Sequence, residues 1–443
     1  MALDIIGTTI LIPVLAPLFL SPSALFTTDT PFATRTFLLG LIGASFPFAQ
    51  FFGAPILGAL SDKYGRKPVL LLSLAGTLFA RLLFAFGIML HSLPLIIISP
   101  IIDGFTGGNI SIALSAIADI SDPKQKAKNF GLIGMSFGIG FVLGPFLGGV
   151  LTNAKILPWF NYATPYFFTA ALTLFNIILM SVNFKETLSQ KVASHVSLLT
   201  GVRNFKKAFA SPNFRVMFIT ASPKLRFLKP GMKAKEGLKL RTLKPLSGLS
   251  LKYRKPRTLS PWKLIVIFLV NFGFMFFIQS FQVYLIEKFH YTSSTIGYLF
   301  TLIGLVMAFT QAVILRKLLN KFTSIQILKV SMIGLGLMIM MLLSPTSGIY
   351  FFILNPILAV FQGLTQPNLT ATVSDLADRS DQGEILGINQ SVMSLAWAIP
   401  PLLAGISLAI NINLPLVFAS LSVVLGWAVF IFLFKPKKHF QEA

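Results

Sequence analysis

Long apolar segments alternate with short polar connections along nearly the whole chain of 443 residues. A helix of about 20 apolar residues crosses roughly 30 Å of hydrocarbon, and most of the segments reach that length. The period-two alternation of a membrane β-barrel is absent. The pattern predicts an all-α integral membrane protein with twelve spans, numbered here in chain order. They cover residues 4–20, 36–60, 68–90, 93–119, 128–151, 164–184, 261–285, 293–319, 324–344, 348–373, 384–410 and 413–434.

The second half of the chain repeats part of the first. A constant offset of 256 residues aligns segment 107–149 with segment 363–405, and six matched positions hold the same Gly, Pro or Asp. Spans 4 and 5 thus match spans 10 and 11, which predicts two pseudo-symmetric six-helix bundles. The predicted organisation is a first bundle over residues 1–184, a basic linker over 185–260, a second bundle over 261–434 and a tail over 435–443.

Charge predicts the orientation of these spans. Only 12% of the residues are charged and 54% are hydrophobic, too apolar for a soluble chain, yet the net charge is +23. Lys and Arg collect in the connections of one side, which the positive-inside rule assigns to the cytoplasm. Both termini are therefore predicted to be cytoplasmic, in a plasma (inner) membrane protein that is a monomer. The basic excess reflects topology, so nucleic acid is not expected as a partner.

Other kinds of chemistry find little support in the sequence. The chain has no cysteine, and its four histidines lie far apart, without metal-ligand spacing. Neither a nucleophile–base pair nor a phosphate-binding loop is recognisable. We therefore expect no enzyme, no cofactor and no metal site. Residues 221–260 hold twelve Lys or Arg and one acid, which predicts a disordered linker near anionic lipids.

The connection between spans 2 and 3 reads GALSDKYGRK, an unusual density of charge and glycine. It strongly resembles the loop 2–3 signature of the major facilitator superfamily, a family of two-bundle membrane transporters. The resemblance implies a latch between the bundles on the cytoplasmic side, with the Arg paired to an acid that closes span 4. A merely solvated basic loop is the alternative. The implied gate residues are Gly58, Asp62, Gly65, Arg66, Lys67 and Asp119.

Span 5 reads GIGFVLGPFLGG and carries glycines four residues apart on one helical face. Such a face lets helices pack closely, and one interpretation of the motif is a purely packing role. The stretch also resembles the antiporter signature of drug:proton exporters in the same superfamily. The residues concerned are Gly140, Gly144, Pro145, Gly148 and Gly149.

Charge inside a membrane is rare and usually functional, and the intramembrane candidates are Asp4, Arg81 and Asp103. Span 1 resembles that of tetracycline-type exporters, whose Asp matches Asp4. Those exporters carry an Arg in span 4, but this chain has Pro100 there. Arg81, at similar depth in span 3, is the candidate replacement; alternatively it snorkels or pairs locally. The three residues are the candidates for proton coupling.

The second half offers amides instead of charges. Several share helical faces of spans 7 and 10, where they can bind a ligand in a central cavity or hydrogen-bond between helices. The candidates are Asn271, Gln279, Gln282, Gln311, Asn355, Gln362, Gln366, Asn389 and Gln390.

The favoured function is a secondary transporter that exports amphipathic small molecules or drugs against inward proton flow. Its expected partners are a small-molecule substrate, protons and the lipid bilayer. The alternatives are a facilitator or symporter for a polar metabolite and a non-transporting membrane scaffold.

Overall fold

The computed structural model describes residues 2–21, 25–26, 29–107, 109–120, 126–188, 261–374 and 382–433. All regular structure in these ranges is helical, and no β-strand occurs in them. Ten segments of this part of the chain are long and apolar enough to cross a membrane. The all-α membrane fold is confirmed. Spans 4 and 5 appear as shorter apolar helices, so the count of twelve crossings stays a prediction.

The helices follow the predicted spans closely. Those of the first half are Ala2–Thr9, Ile12–Leu20, Phe32–Tyr64, Arg66–Met89, Leu93–Thr106, Asn109–Ile120, Lys126–Leu151 and Thr164–Asn183. Those of the second half are Pro261–Phe289, Ser293–Phe309, Leu315–Leu319, Ser324–Met341, Phe351–Ser374, Gln382–Ile410 and Leu414–Leu433. A π-helical turn, Thr310–Ile314, continues span 8 between two of these helices.

Span 1 is interrupted, although the sequence predicts one helix over residues 4–20. The break falls at Ile10 and Leu11, between helices Ala2–Thr9 and Ile12–Leu20. Pro13 lies in the first turn of the second helix, the one place where its missing N–H costs no helical hydrogen bond.

Span 4 is also interrupted, so the prediction of one continuous helix over residues 93–119 is wrong. Gly107 leaves helical geometry at φ −71° and ψ 25°, and its amide donates to the Gly104 carbonyl in a tight turn. The freed Gly107 carbonyl accepts a 2.9 Å hydrogen bond from Nε2 of Gln50 in span 2. A partner of this kind is what allows a helix to break inside a membrane.

Packing contacts arrange the spans in two halves. Span 1 packs against spans 5 and 6, and span 3 against spans 4 and 6. In the second half, span 7 packs against spans 11 and 12, and span 9 against spans 10 and 12. Across the halves, span 2 meets span 11 and span 5 meets span 8. This is the predicted two-bundle architecture; the exact domain boundaries stay a prediction.

The two halves approach closely at the end of span 2 that follows Arg35, called the Arg35 end here. A Cβ added at Gly40 would overlap the carbonyl of Pro401, and one at Gly405 would overlap the carbonyl of Thr36. Backbones can meet in this way only where side chains are absent.

The opposite end of the interface, which holds the loop between spans 2 and 3, is called the Arg66 end. Gly58 lies 18 residues after Gly40, about five helical turns, and so on the same face of span 2. A Cβ at Gly58 would meet no described atom within 4 Å. The start of span 11 lies outside the described side chains, so the role of Gly58 in the gate stays a prediction.

Candidate functional site

Arg81 lies inside the first bundle, with only 3% of its surface exposed. It therefore does not snorkel toward water. Span 1 makes room for it at Gly7, where a Cβ would overlap the guanidinium group. A buried guanidinium needs partners for its charge and its donors.

Those partners come from spans 1 and 6. Nη1 of Arg81 donates to the carbonyl of Thr169 at 3.2 Å and to the hydroxyl of Thr173. Nη2 lies 3.8 Å from Oδ1 of Asp4 and donates to Oγ1 of Thr8 at 3.5 Å. Arg81 thus cross-links three spans of the first bundle. Its Nε has no hydrogen-bond partner among the described residues.

Asp4 has a second partner in span 4. Nδ2 of Asn109 donates to Oδ2 of Asp4 at 2.6 Å. A small cavity of ≈ 60 Å³ lies beside this pair, and Asn176 and Met180 of span 6 also line it. The second helix of span 4 begins at Asn109, so the interruption at Gly107 helps to present this amide to Asp4.

Asp103 completes a cluster of three charges. Its side chain is half-buried, interacts electrostatically with both Arg81 and Asp4, and accepts a hydrogen bond from the Thr77 side chain. The structure therefore brings together the three charged residues that the sequence singles out within the spans. With both carboxylates ionised, this charge cluster (Asp4, Arg81 and Asp103) has a net charge of −1.

The loop between spans 2 and 3 forms a second group, the Arg66 cluster, which consists of Ser61, Asp62, Arg66 and Asp119. Nη1 of Arg66 lies 2.5 Å from Oδ1 of Asp62 and 2.7 Å from Oγ of Ser61. Nε lies 3.0 Å from Oδ2 of Asp119, the pairing that the resemblance implies. These partners all belong to the first half. The start of span 11 lies outside the described side chains, so a latch between the bundles stays a prediction.

Glu186, just after span 6, also binds this loop. Its carboxylate accepts the backbone N–H of Arg66 at 2.9 Å and that of Lys67 at 3.1 Å. Partial burial raises the pKa of Glu186, but the backbone N–H groups of Leu188, Arg66, Lys67 and Thr187 outweigh it and hold the pKa below its usual range. Residues 185–188, predicted as the start of the linker, therefore pack against the first bundle; residues 189–260 lie outside the described structure.

The glycines of span 5 contact span 1. A Cβ at Gly140 would overlap Ile5, one at Gly144 would overlap Oγ1 of Thr9, and one at Gly148 would overlap the carbonyl of Ile10. The helices are so close that Oγ1 of Thr9 donates to the Gly140 carbonyl at 2.7 Å.

A second face of span 5, about 100° around the helix from the first, contacts the second bundle. Oγ of Ser294 in span 8 donates to the carbonyl of Gly149 at 2.8 Å. The carbonyl of Pro145 lies where a Cβ of Gly297 would be. Span 5 therefore lies between span 1, which carries Asp4, and the interface of the two halves.

Three amide side chains of the second half lie close to a neighbouring helix. Nε2 of Gln366 lies 3.4 Å from Oδ1 of Asn271, an inter-helix contact between spans 10 and 7. Gln279 reaches the interface, because a Cβ at Gly43 of span 2 would lie 2.9 Å from its Nε2.

The remaining amides differ in what surrounds them. Gln282, Asn355 and Gln362 are buried, and their amide oxygens have no hydrogen-bond partner among the described residues. Gln311 lies in the π-helical turn of span 8. Asn389 and Gln390 belong to helix Gln382–Ile410, but their side chains lie outside the described part of the structure.

Sequence reasoning missed Asn109, Thr173 and Glu186. A polar residue directly after the glycine pair at 107 and 108, inside an apolar segment, was the available signal for Asn109. Glu186 is the only acid between Asp122 and Glu236, in a strongly basic part of the chain. No signal marks Thr173, since threonines are common in membrane helices.

Comparisons with known proteins agree with this geometry. The family model of the Major Facilitator Superfamily matches residues 1–401 and 263–443. The class H tetracycline resistance protein of Pasteurella multocida is 28% identical over 401 residues, which cover 90% of this chain and 85% of that protein. Multidrug resistance protein 2 of Bacillus subtilis is 25% identical over 404 residues, covering 90% and 87%.

A solved structure shows the same fold. The human organic anion transporter MFSD10 superposes with a TM-score of 0.65 at 22% sequence identity, over 97% of this chain and 96% of that one. The family and these relatives are transporters and not enzymes. With helical spans in two halves, the loop 2–3 cluster and a family match along its length, the chain belongs to the Major Facilitator Superfamily of membrane transporters.

Proposed function

We propose that this transporter exports amphipathic small molecules in exchange for protons, by alternating access of a site between its two bundles. The observation that carries the proposal is the charge cluster, in which one arginine faces two carboxylates inside the membrane-spanning bundle. Intramembrane charges without a structural need for them usually serve ion or substrate movement.

Proton binding to this cluster would change its charge from −1 to neutral. A proton on Asp103 or Asp4 alters the free energy of any conformation in which the cluster contacts differ, and this difference couples proton movement to access. Span 1 transmits the change, because Asp4 lies on the helix that packs against the glycines of span 5. Span 5 in turn contacts span 8 of the other half.

Export, as opposed to uptake, is supported by the relatives. Two of them are named for tetracycline and multidrug resistance. The span 5 glycines resemble the antiporter signature, and they pack closely against span 1. Gln279, at the interface, and the buried amides of spans 7 and 10 would supply the polar contacts of the substrate site. We further propose a monomer in the plasma membrane with both termini in the cytoplasm.

Inverted membrane vesicles test the proposal directly. A proton gradient imposed with the vesicle interior acidic should drive accumulation of a fluorescent or labelled amphipathic drug by the wild type. Asp103→Asn and Asp4→Asn, tested separately, should identify the coupling carboxylate: the critical variant loses accumulation against the gradient but still allows downhill movement. Accumulation by both single variants and by the double variant would place coupling outside the cluster.

Buried amide oxygens favour one alternative, a facilitator or symporter for a polar metabolite. The amide oxygens of Gln282 and Gln362 have no hydrogen-bond partner in the described part of the chain, which suits a ligand rich in hydrogen-bond donors. The direction of proton movement separates the two functions. In vesicles without an imposed gradient, a symporter moves protons with its substrate, an antiporter moves them in the opposite direction, and a facilitator moves none.

A further inference from the structure

Two oppositely charged side chains join the ends of spans 3 and 6. The Glu186 carboxylate lies at the N-terminus of the span 3 helix Arg66–Met89, where its oxygens accept two backbone N–H groups. The Lys67 ammonium lies at the C-terminal end of the span 6 helix, where it donates to the carbonyl of Ser181 at 2.8 Å. Each charge is thus at the helix end whose dipole favours it. These contacts are called the helix-end clamp here.

The backbone conformation of Gly65 and its lack of a side chain leave room for this carboxylate. Its φ of 115° lies in the region that favours glycine, and a Cβ at Gly65 would meet Oε2 of Glu186 at 2.5 Å. The second glycine of the loop motif therefore does more than turn the chain. It leaves the space through which Glu186 reaches the first amides of span 3.

We propose that Glu186 is a positioning residue for the Arg66 cluster, and this rests on the predicted role of that cluster as a latch between the bundles during alternating access. Arg66 is the first residue of its helix, so the bond from its own N–H to Glu186 fixes the point from which the side chain extends. From that point its guanidinium reaches Asp62 and Asp119. Without the clamp, the backbone N–H groups in the first turn of span 3 lose their hydrogen-bond acceptors. The backbone of Arg66 is then no longer held in place, and neither is the guanidinium group that it carries.

Residues 185–188 are the described start of the predicted linker, so the clamp joins this part of the linker to the Arg66 cluster. The clamp is not a proton sensor in the neutral range. Because the pKa of Glu186 is lowered, its stabilising effect is complete above the ordinary pKa of Glu and is lost only as pH falls through the lowered value.

A double-mutant cycle tests the proposal. Glu186→Gln, Arg66→Ala and their combination are compared by initial efflux rates over substrate concentration and pH, at equal amounts of correctly assembled protein. Glu186→Gln should lower the maximal rate about five-fold, the size expected for loss of a helix cap, with KM and the pH profile little changed. In the Arg66→Ala background the same substitution should have no further effect, because its action passes through Arg66.

Two other variants sharpen the result. Lys185→Gln removes a neighbouring charge outside the clamp and should leave the rate unchanged. Gly65→Ala should slow turnover at least as much as Glu186→Gln, because its methyl group displaces the carboxylate and also strains the backbone at φ 115°. If Arg66→Ala itself leaves turnover intact, the proposed role of the Arg66 cluster is wrong. If Arg66→Ala slows turnover but Glu186→Gln is silent or additive with it, the positioning role of Glu186 is wrong.

Discussion

At the scale of residues, the unusual feature is the span that carries the buried arginine. The related exporters would place an arginine in span 4 at the position of Pro100, and this chain supplies Arg81 from span 3 instead. Spans 3 and 4 are joined at this level by Oγ of Ser99, which donates to the Ala80 carbonyl at 2.7 Å. A guanidinium from either helix would therefore enter the same part of the bundle.

Arg81→Ala should destabilise the protein strongly, because two carboxylates then lose their compensating charge. Loss of one partner from a buried ion pair costs about 3–5 kcal/mol. Thermal unfolding in detergent should show a large drop in the transition temperature. Adding Asp4→Asn to the Arg81→Ala background should recover part of the stability without restoring proton-driven efflux. A double variant no more stable than Arg81→Ala would show that Asp4 does not depend on this cation.

At the scale of elements, span 5 is the mechanical connection between the charge cluster and the second bundle. Its glycines face span 1, and Gly149 and Pro145 face span 8. Such contacts tolerate rigid movement of helices but not an increase in their separation, because interiors are close-packed.

The effect of replacing a span 5 glycine by alanine should therefore depend on how closely a neighbouring helix packs against that glycine. Gly144→Ala places a methyl group on Thr9 and should cost about 1–3 kcal/mol of packing, with severe loss of efflux. Gly138→Ala is the matched control, since among the described residues its Cβ would meet only Ala308, at 3.7 Å. Efflux and unfolding are measured for both at equal expression. Equal activity of the two variants would contradict the close-packing interpretation.

At the scale of the whole molecule, the two halves touch at the Arg35 end of span 2, where Pro401 covers Gly40. On the same face of span 2, near the Arg66 end, a Cβ at Gly58 would meet no described atom within 4 Å. We therefore expect this conformation to be open at the Arg66 end, which faces the cytoplasm if the termini lie there as proposed. Alternating access then requires the opposite arrangement, with Gly58 covered and the Arg35 end parted.

Single cysteines can detect that exchange, because the natural chain has none. In substrate-free protein, Gly58→Cys should react readily with a membrane-impermeant maleimide added at the Arg66 end. Thr36→Cys, at a position with no exposed surface, should be protected. Turnover conditions should lower the labelling rate of Gly58→Cys and raise that of Thr36→Cys. Labelling rates that do not respond to substrate or to a proton gradient would argue against the alternation.

The sequence by itself determined the class of fold, the repeat and most of the residues that matter. Apolar length is sufficient for this, because a membrane admits few backbone structures and penalises unpaired charge. Asp4, Arg81, Asp103 and the loop motif were visible for that reason.

Tertiary structure alone decided which of these residues meet. Arg81 and Asp4 are 77 positions apart, and only the packing of spans 1, 3 and 6 brings them within 3.8 Å. The break at Gly107 and the binding of Glu186 to span 3 likewise depend on helix packing. Local preferences set where a helix can begin, bend or end, but the neighbouring helices determine whether a freed carbonyl, amide or charge finds its partner.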